Sequence, residues 1–263
     1  MGNVSYSERE IVIEPGRGAL NYWRDLWAYR ELFVFLAWRD IAVRYKQTVI
    51  GLAWSVVQPV LTMIVFTIVF GRLAGLPSEG APYPILVFTA LLPWQFFANS
   101  LTQSSNSLVG NAQMISKVYF PRLAIPTSAI VVSFVDFLIS FVILLVLMVV
   151  YRFMPNWRMV TLPLFTLLAI MTALGGGLWM ASLNVRYRDF RFIVPFIVTA
   201  GLYISPVGFS SDIVPEQWRF LYSLNPMVGV IDGFRWAIIG NSTLYWPGFI
   251  VSIILSILLF LSG

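Results

Sequence analysis

Six long apolar runs separated by short polar segments organise this chain. They cover Leu52–Phe70, Tyr83–Thr102, Leu123–Val150, Val160–Asn184, Phe192–Phe209 and Trp246–Leu261. A hydrocarbon core of about 30 Å needs roughly 20 apolar residues in helix. The pattern therefore predicts an all-α integral membrane protein with six transmembrane helices. Pro84 and Pro93 interrupt the second run, which a helix bundle tolerates because neighbours can satisfy the freed backbone groups. The runs contain a single charge, Asp136.

Two weaker patterns flank the runs. After the Pro15–Gly18 breaker, Leu20, Trp23, Trp27, Val34, Trp38, Ile41 and Tyr45 recur at helical spacing. Arginines lie mostly off that stripe, and Asp40 and Arg44 form an i,i+4 pair. Tryptophan on one face and arginine on another predict an amphipathic helix in the membrane interface, with Trp38, Arg39, Asp40, Arg44 and Tyr45 as its characteristic residues. Such a helix is a surface anchor or a collar that also meets a cytoplasmic partner. Between the fifth and sixth runs, Val214–Leu224 and Met227–Ile239 read as short helices split by Asn225–Pro226 and stopped at Gly240. Each is too short to cross, so the pair is expected as re-entrant helices over about 212–240.

Composition narrows the function. Only 11% of the 263 residues are charged and 59% are apolar; too few polar side chains exist to coat a water-facing domain. There is no cysteine and no histidine, which removes thiol chemistry, the commonest general base and the commonest metal ligand. No phosphate-cradling glycine loop is present. No catalytic site, cofactor site or metal site is expected on this chain. If transport uses ATP, another subunit binds it.

The net charge of +5 reads as topology rather than nucleic-acid contact. With the N-terminus inside, the inner segments carry 12 of the 17 basic residues and the outer segments 5. This bias predicts a cytoplasmic N-terminus. Residues 1–18 are polar and mixed in charge and do not resemble a cleavable signal. The division expected is a cytoplasmic segment at 1–51 and a membrane domain at 52–263.

Several residues carry open alternatives. Asp136, with Ser133 and Ser140 one turn away, is either a structural partner inside the bundle or part of a transport path. Gly175–Gly177 allow close packing or a hinge. Phe96, Phe97, Tyr203 and Phe209 are candidate pore-lining rings for a sugar substrate. Arg186, Arg188 and Arg191 are candidate ligands for a lipid-linked diphosphate, or ordinary inner-side arginines. The residues alone leave a permease, a self-contained carrier and a membrane-embedded transferase in play.

Five runs, in order, add a resemblance. They are YRELFVFLAWRDIAVRYKQTVIGLAWSVVQP from Tyr29, LLPWQFFANSLTQSSNSLVGN from Leu91, ISKVYFPR from Ile115, LGGGLWMASLNVRYRDFR from Leu174 and LNPMVGVIDGFRWAIIG from Leu224. Together they resemble the membrane subunit of bacterial ABC-type exporters of O-antigen, capsule or teichoic acid. The resemblance implies a homodimer with two ATP-binding subunits that hold ATP and Mg. It implies a lipid-linked glycan as substrate and the cytoplasmic membrane as location. It maps Tyr29–Lys46 to the interface helix and about 111–122 to a coupling helix. There, Met114, Ile115, Val118, Tyr119 and Phe120 would anchor the motor, with Lys117 and Arg122 orienting it and Pro121 ending the helix.

Overall fold

The computed structural model describes residues 29–46, 49–117, 120–241 and 244–263. Among these residues the fold is entirely helical. Helix α1 (Arg30–Lys46) leads into α2 (Val49–Phe66), which continues as a π-helical stretch over Thr67–Leu73. Then follow α3 (Tyr83–Gly110), the six-residue α4 (Ala112–Lys117), α5 (Ala124–Val150) and α6 (Leu162–Arg186). Helix α7 (Phe190–Ile204), α8 (Glu216–Tyr222), α9 (Pro226–Ile238) and α10 (Trp246–Ser262) complete the chain.

Among the described residues, four helical segments are long and apolar enough to cross a membrane: Ala53–Leu73, Tyr83–Gly110, Ala124–Val150 and Trp157–Arg186. The other two expected spans are shorter. Helix α7 has 15 residues and stops at Ser205–Pro206, whereas the apolar pattern runs on to Phe209. Helix α10 has 17, near the lower end of the usual length.

Helix α3 is the central post. Leu86, Val87 and Phe88 are wholly buried, and the helix packs between α5 and α6. It also outruns its apolar stretch by two turns. Within this polar end, Thr102, Ser105, Asn106 and Ser107 bond back to carbonyls of the preceding turn, as Asn106 Nδ2 does to the Thr102 carbonyl at 3.0 Å. Asn184 of α6 donates to the Ser105 carbonyl at 2.9 Å and fastens the same end. Polar side chains that cannot reach water gain by bonding between helices.

The glycine triplet is a packing device. A side chain at Gly175 would strike the Leu259 backbone of α10, and one at Gly177 would come within 2.6 Å of Ser104 Oγ. Small residues let helices approach where no hydrophobic force drives them together. Thr172 and Ser256 share a hydrogen bond of 2.8 Å along the same α6–α10 seam.

Helices α8 and α9 lie at the end of the bundle that also carries residues 151–161: Asn156 N–H donates to the Ile238 carbonyl at 3.1 Å. Asn225 caps α9 by accepting from Met227 N–H at 3.1 Å, and Gly240 leaves it at φ 81°, a conformation that suits glycine. Helix α9 is packed into the bundle, with Met227, Val230, Ile231 and Phe234 fully buried.

Candidate functional site: a polar cavity beside an intramembrane ion pair

An apolar bundle should bury apolar side chains, yet a cavity of about 500 Å³ here is lined by Gln58 and Thr62 of α2, Gln95 and Asn99 of α3, Ser133 and Ser140 of α5 and Thr199 of α7. Trp54, Trp94 and Phe96 supply aromatic wall. Amides and hydroxyls offer donors and acceptors to a hydroxyl-rich ligand, and ring faces suit the C–H side of a pyranose.

Arg44 and Asp136 line one side of this cavity. Arg44 Nη2 lies 2.6 Å from Asp136 Oδ2. The Tyr45 hydroxyl donates to Asp136 Oδ1 at 2.5 Å, and Ser55 donates to the same oxygen at 3.3 Å. Burial and the neighbouring carboxylate raise the Tyr45 phenol above its ordinary value of 10.0, so it stays protonated and donates. Asp136 therefore takes its partners from α1 and α2, not from Ser133 and Ser140 as its own helix suggested. Ser133 instead accepts from Gln103 at 3.2 Å. The Asp40–Arg44 pair is also replaced: Asp40 pairs with its neighbour Arg39 at 2.7 Å.

A second polar hollow of about 430 Å³ lies between α1, α3 and α5, lined by Asp40, Gln103, Asn106, Ser107 and Asn111. Arg44 lines both hollows. The ion pair thus stands where a polar track along α3, from Asn111 to Gln95, would join them.

The expected interface helix is described only from Arg30; Leu20, Trp23 and Trp27 lie outside the described residues. Its outer face carries Val34 and Trp38, the latter 69% exposed, while Leu36 and Ala37 face inward. Arg44 and Tyr45 turn into the bundle, so the last turn of α1 does more than lie on a surface.

Of the four expected pore rings, Phe96 lines the polar cavity. Phe97 packs on Trp94 at 5.6 Å, Tyr203 stacks on Phe66 at 6.0 Å and Phe209 tilts against Phe70 at 6.5 Å. Aromatic content alone does not separate lining from packing. Gln58, Gln95 and Asn99 were the better signal, being uncharged polar side chains inside apolar runs.

The expected coupling segment is a short helix, and its apolar residues are used differently from the expectation. Phe120 is buried in a small core with Leu36, Ala124 and Ile125, against which Met114 and Ile115 also pack. Phe120, with Met114 and Ile115 partly buried against the same core, ties the segment to α1. Gln113, Ser116, Lys117 and Arg122 are exposed; Val118 and Tyr119 lie outside the described residues. The arginines near α6 also separate in role. The Arg186 guanidinium lies over the Tyr187 ring at 5.2 Å, Arg188 lines a groove with Arg122, and Arg191 is exposed at the start of α7.

At the opposite end, an unforeseen clamp holds the chain between α7 and α8. Arg235 of α9 is wholly buried and donates to the carbonyls of Phe209 at 2.6 Å and Val207 at 3.1 Å. Burial lowers its affinity for the proton, opposed by Glu79 and Asp232 nearby. One turn earlier, Asp232 accepts from Ser211 at 2.7 Å; burial pushes its carboxyl up to about 7.

Known proteins resemble this sequence over most of its length. The O-antigen export system permease protein RfbA of Klebsiella pneumoniae is 29% identical over 85% of this chain and 89% of its own. A protein of the same name from Myxococcus xanthus is 30% identical over 81% of this chain and 82% of its own. The polysialic acid transport protein KpsM of Escherichia coli is 20% identical over 81% and 80%. Residues 31–239 match the ABC-2 type transporter family, and the chain belongs to that family.

Proposed function

We propose that this chain is the permease subunit of an ATP-driven exporter that carries a polysaccharide, in lipid-linked form, across a bacterial cytoplasmic membrane. The similarity to permeases named for O-antigen and polysialic acid supports the substrate class. The observation that carries the reading is the hydrogen-bonding cavity with tryptophan in its wall, set among otherwise apolar helices and open at the side of α2 and α7.

The permease acts as a homodimer with two ATP-binding subunits, which hold ATP and Mg. Helices α2 and α7 flank the cavity and leave Leu61, Val65 and Phe196 exposed; a second copy facing them would close a shared path. The N-terminus and the 111–122 segment face the cytoplasm, as the arginine bias favours. The motor docks at 111–122, where Lys117 orients it and Tyr119 supplies the apolar contact. Because Met114, Ile115 and Phe120 bind that segment to α1, a push there reaches Arg44 and Asp136.

Deletion of the gene tests the assignment. Surface glycan should fall to background while glycan accumulates inside, and the wild-type gene should restore export. Unchanged surface glycan in the deletion strain would contradict the assignment.

A further inference from the structure

We infer that the groove between Arg122 and Arg188 is a seat for an anionic glycerophospholipid, with the phosphate held by the two guanidiniums. This rests on the orientation proposed above, which puts the groove at the cytoplasmic membrane surface. The groove holds about 800 Å³. Arg122 stands just before α5 and Arg188 just after α6, so both sit at the level where headgroups lie. Leu108, Ile115, Pro126 and Leu178 form apolar wall beneath them. Leu178 is about 12 Å along α6 from its last residue, Arg186, which continues the wall toward the acyl region.

The charge pattern selects the ligand. No aspartate or glutamate lines the groove, and among the described residues neither arginine makes an ion pair. Guanidinium presents paired donors that match phosphate oxygens, and basic pockets between membrane helices on the inner side take lipid headgroups. A polyprenyl diphosphate, as on a lipid-linked glycan, shares this chemistry. The position favours a resident phospholipid, because the groove shares no lining residue with the polar cavity and draws none of its wall from α2 or α7. A lipid there would bridge the 111–122 segment to α6.

Native mass spectrometry of the purified full-length permease, without glycan or ATPase, tests this. Phosphatidylglycerol and phosphatidylcholine are offered in equal amounts, with and without equimolar polyprenyl diphosphate. Wild type should retain phosphatidylglycerol in preference to phosphatidylcholine, and the diphosphate should not displace it. R122Q/R188Q should weaken phosphatidylglycerol binding about thirtyfold, taking the usual contribution of two surface arginines. R122K/R188K, which keeps the charge, should fall between the two. R72Q/R152Q, altered at the other end of the bundle, should match wild type. Equal retention of both lipids, undiminished binding by R122Q/R188Q, or displacement by the diphosphate would overturn the proposal. None of these readouts depends on export, so the groove and the export assignment stand or fall separately.

Discussion

Arg44 of α1 and Asp136 of α5 meet at 2.6 Å, and that contact fixes how the N-terminal helix joins the membrane domain. Asp136 lies about 18 Å along α5 from its first residue. The last turn of α1 therefore reaches well into the bundle. A carboxylate at such a depth needs a partner, and the helix leading into α2 provides two, Arg44 and Tyr45.

Asp136→Ala should lower the midpoint of thermal unfolding and export together. Arg44 keeps 34% of its side-chain exposure, so the loss should be smaller than the about 3–5 kcal/mol typical when one member of a buried pair is removed. Arg44→Gln combined with Asp136→Asn should cost less than the sum of the single changes, with a coupling of about 1 kcal/mol or more. Strict additivity in a double-mutant cycle would mean that the contact carries no energy.

The two neighbouring glycines Gly175 and Gly176 should respond differently. A methyl at Gly175 meets the Leu259 backbone, whereas one at Gly176 meets only the Leu101 side-chain tip at 3.3 Å. Gly175→Ala is expected to destabilise by about 1–3 kcal/mol, as overpacking does, and Gly176→Ala by less than 1 kcal/mol. Thermal melts in one detergent decide it; equal melts would mean that the α6–α10 seam is not closely packed at Gly175.

Asp232 should make stability pH-dependent. Its carboxyl titrates near 7 in the folded protein against an ordinary 3.8. The folded state binds the proton more tightly, so stability is greatest below about 4, falls as pH rises toward 7 and levels off above. Asp232→Asn should abolish that slope. A wild-type melting profile as flat as that of the variant would contradict the buried-acid reading.

How far the sequence carried these conclusions differs by element. The apolar runs identified the long helices, since length and composition decide membrane crossing. The end of α7 falls short of its apolar run because Val207 and Phe209 are apolar yet belong to an irregular stretch held by Arg235. Nothing local in the sequence reveals such a clamp, because its acceptors are backbone carbonyls. The partners of Asp136 are hidden for a related reason: helical spacing offers only residues one turn away, whereas Arg44, Tyr45 and Ser55 arrive from α1 and α2. The burial of Phe120 against Leu36 is invisible in the sequence because a short segment's own pattern does not show what covers it.

Topology is testable with single cysteines, since the chain has none of its own. Ser78→Cys should react with an impermeant thiol reagent added to intact cells, and Ser116→Cys should react only after the membrane is opened. Labelling of position 116 from outside would reverse the orientation.

If the polar cavity is part of the glycan path, glycan should protect Asn99→Cys within it. The variant would be assembled with its ATP-binding partner and treated with a small hydrophilic thiol reagent, with and without lipid-linked glycan. Val142→Cys, on the exposed face of α5, serves as the control. Position 99 should react in the empty transporter and be shielded by at least about tenfold when glycan is bound, corresponding to about 1.4 kcal/mol of occupancy, while position 142 should be indifferent to glycan. Reaction at position 99 that glycan leaves unchanged, in a complex that still exports, would rule the cavity out of that path.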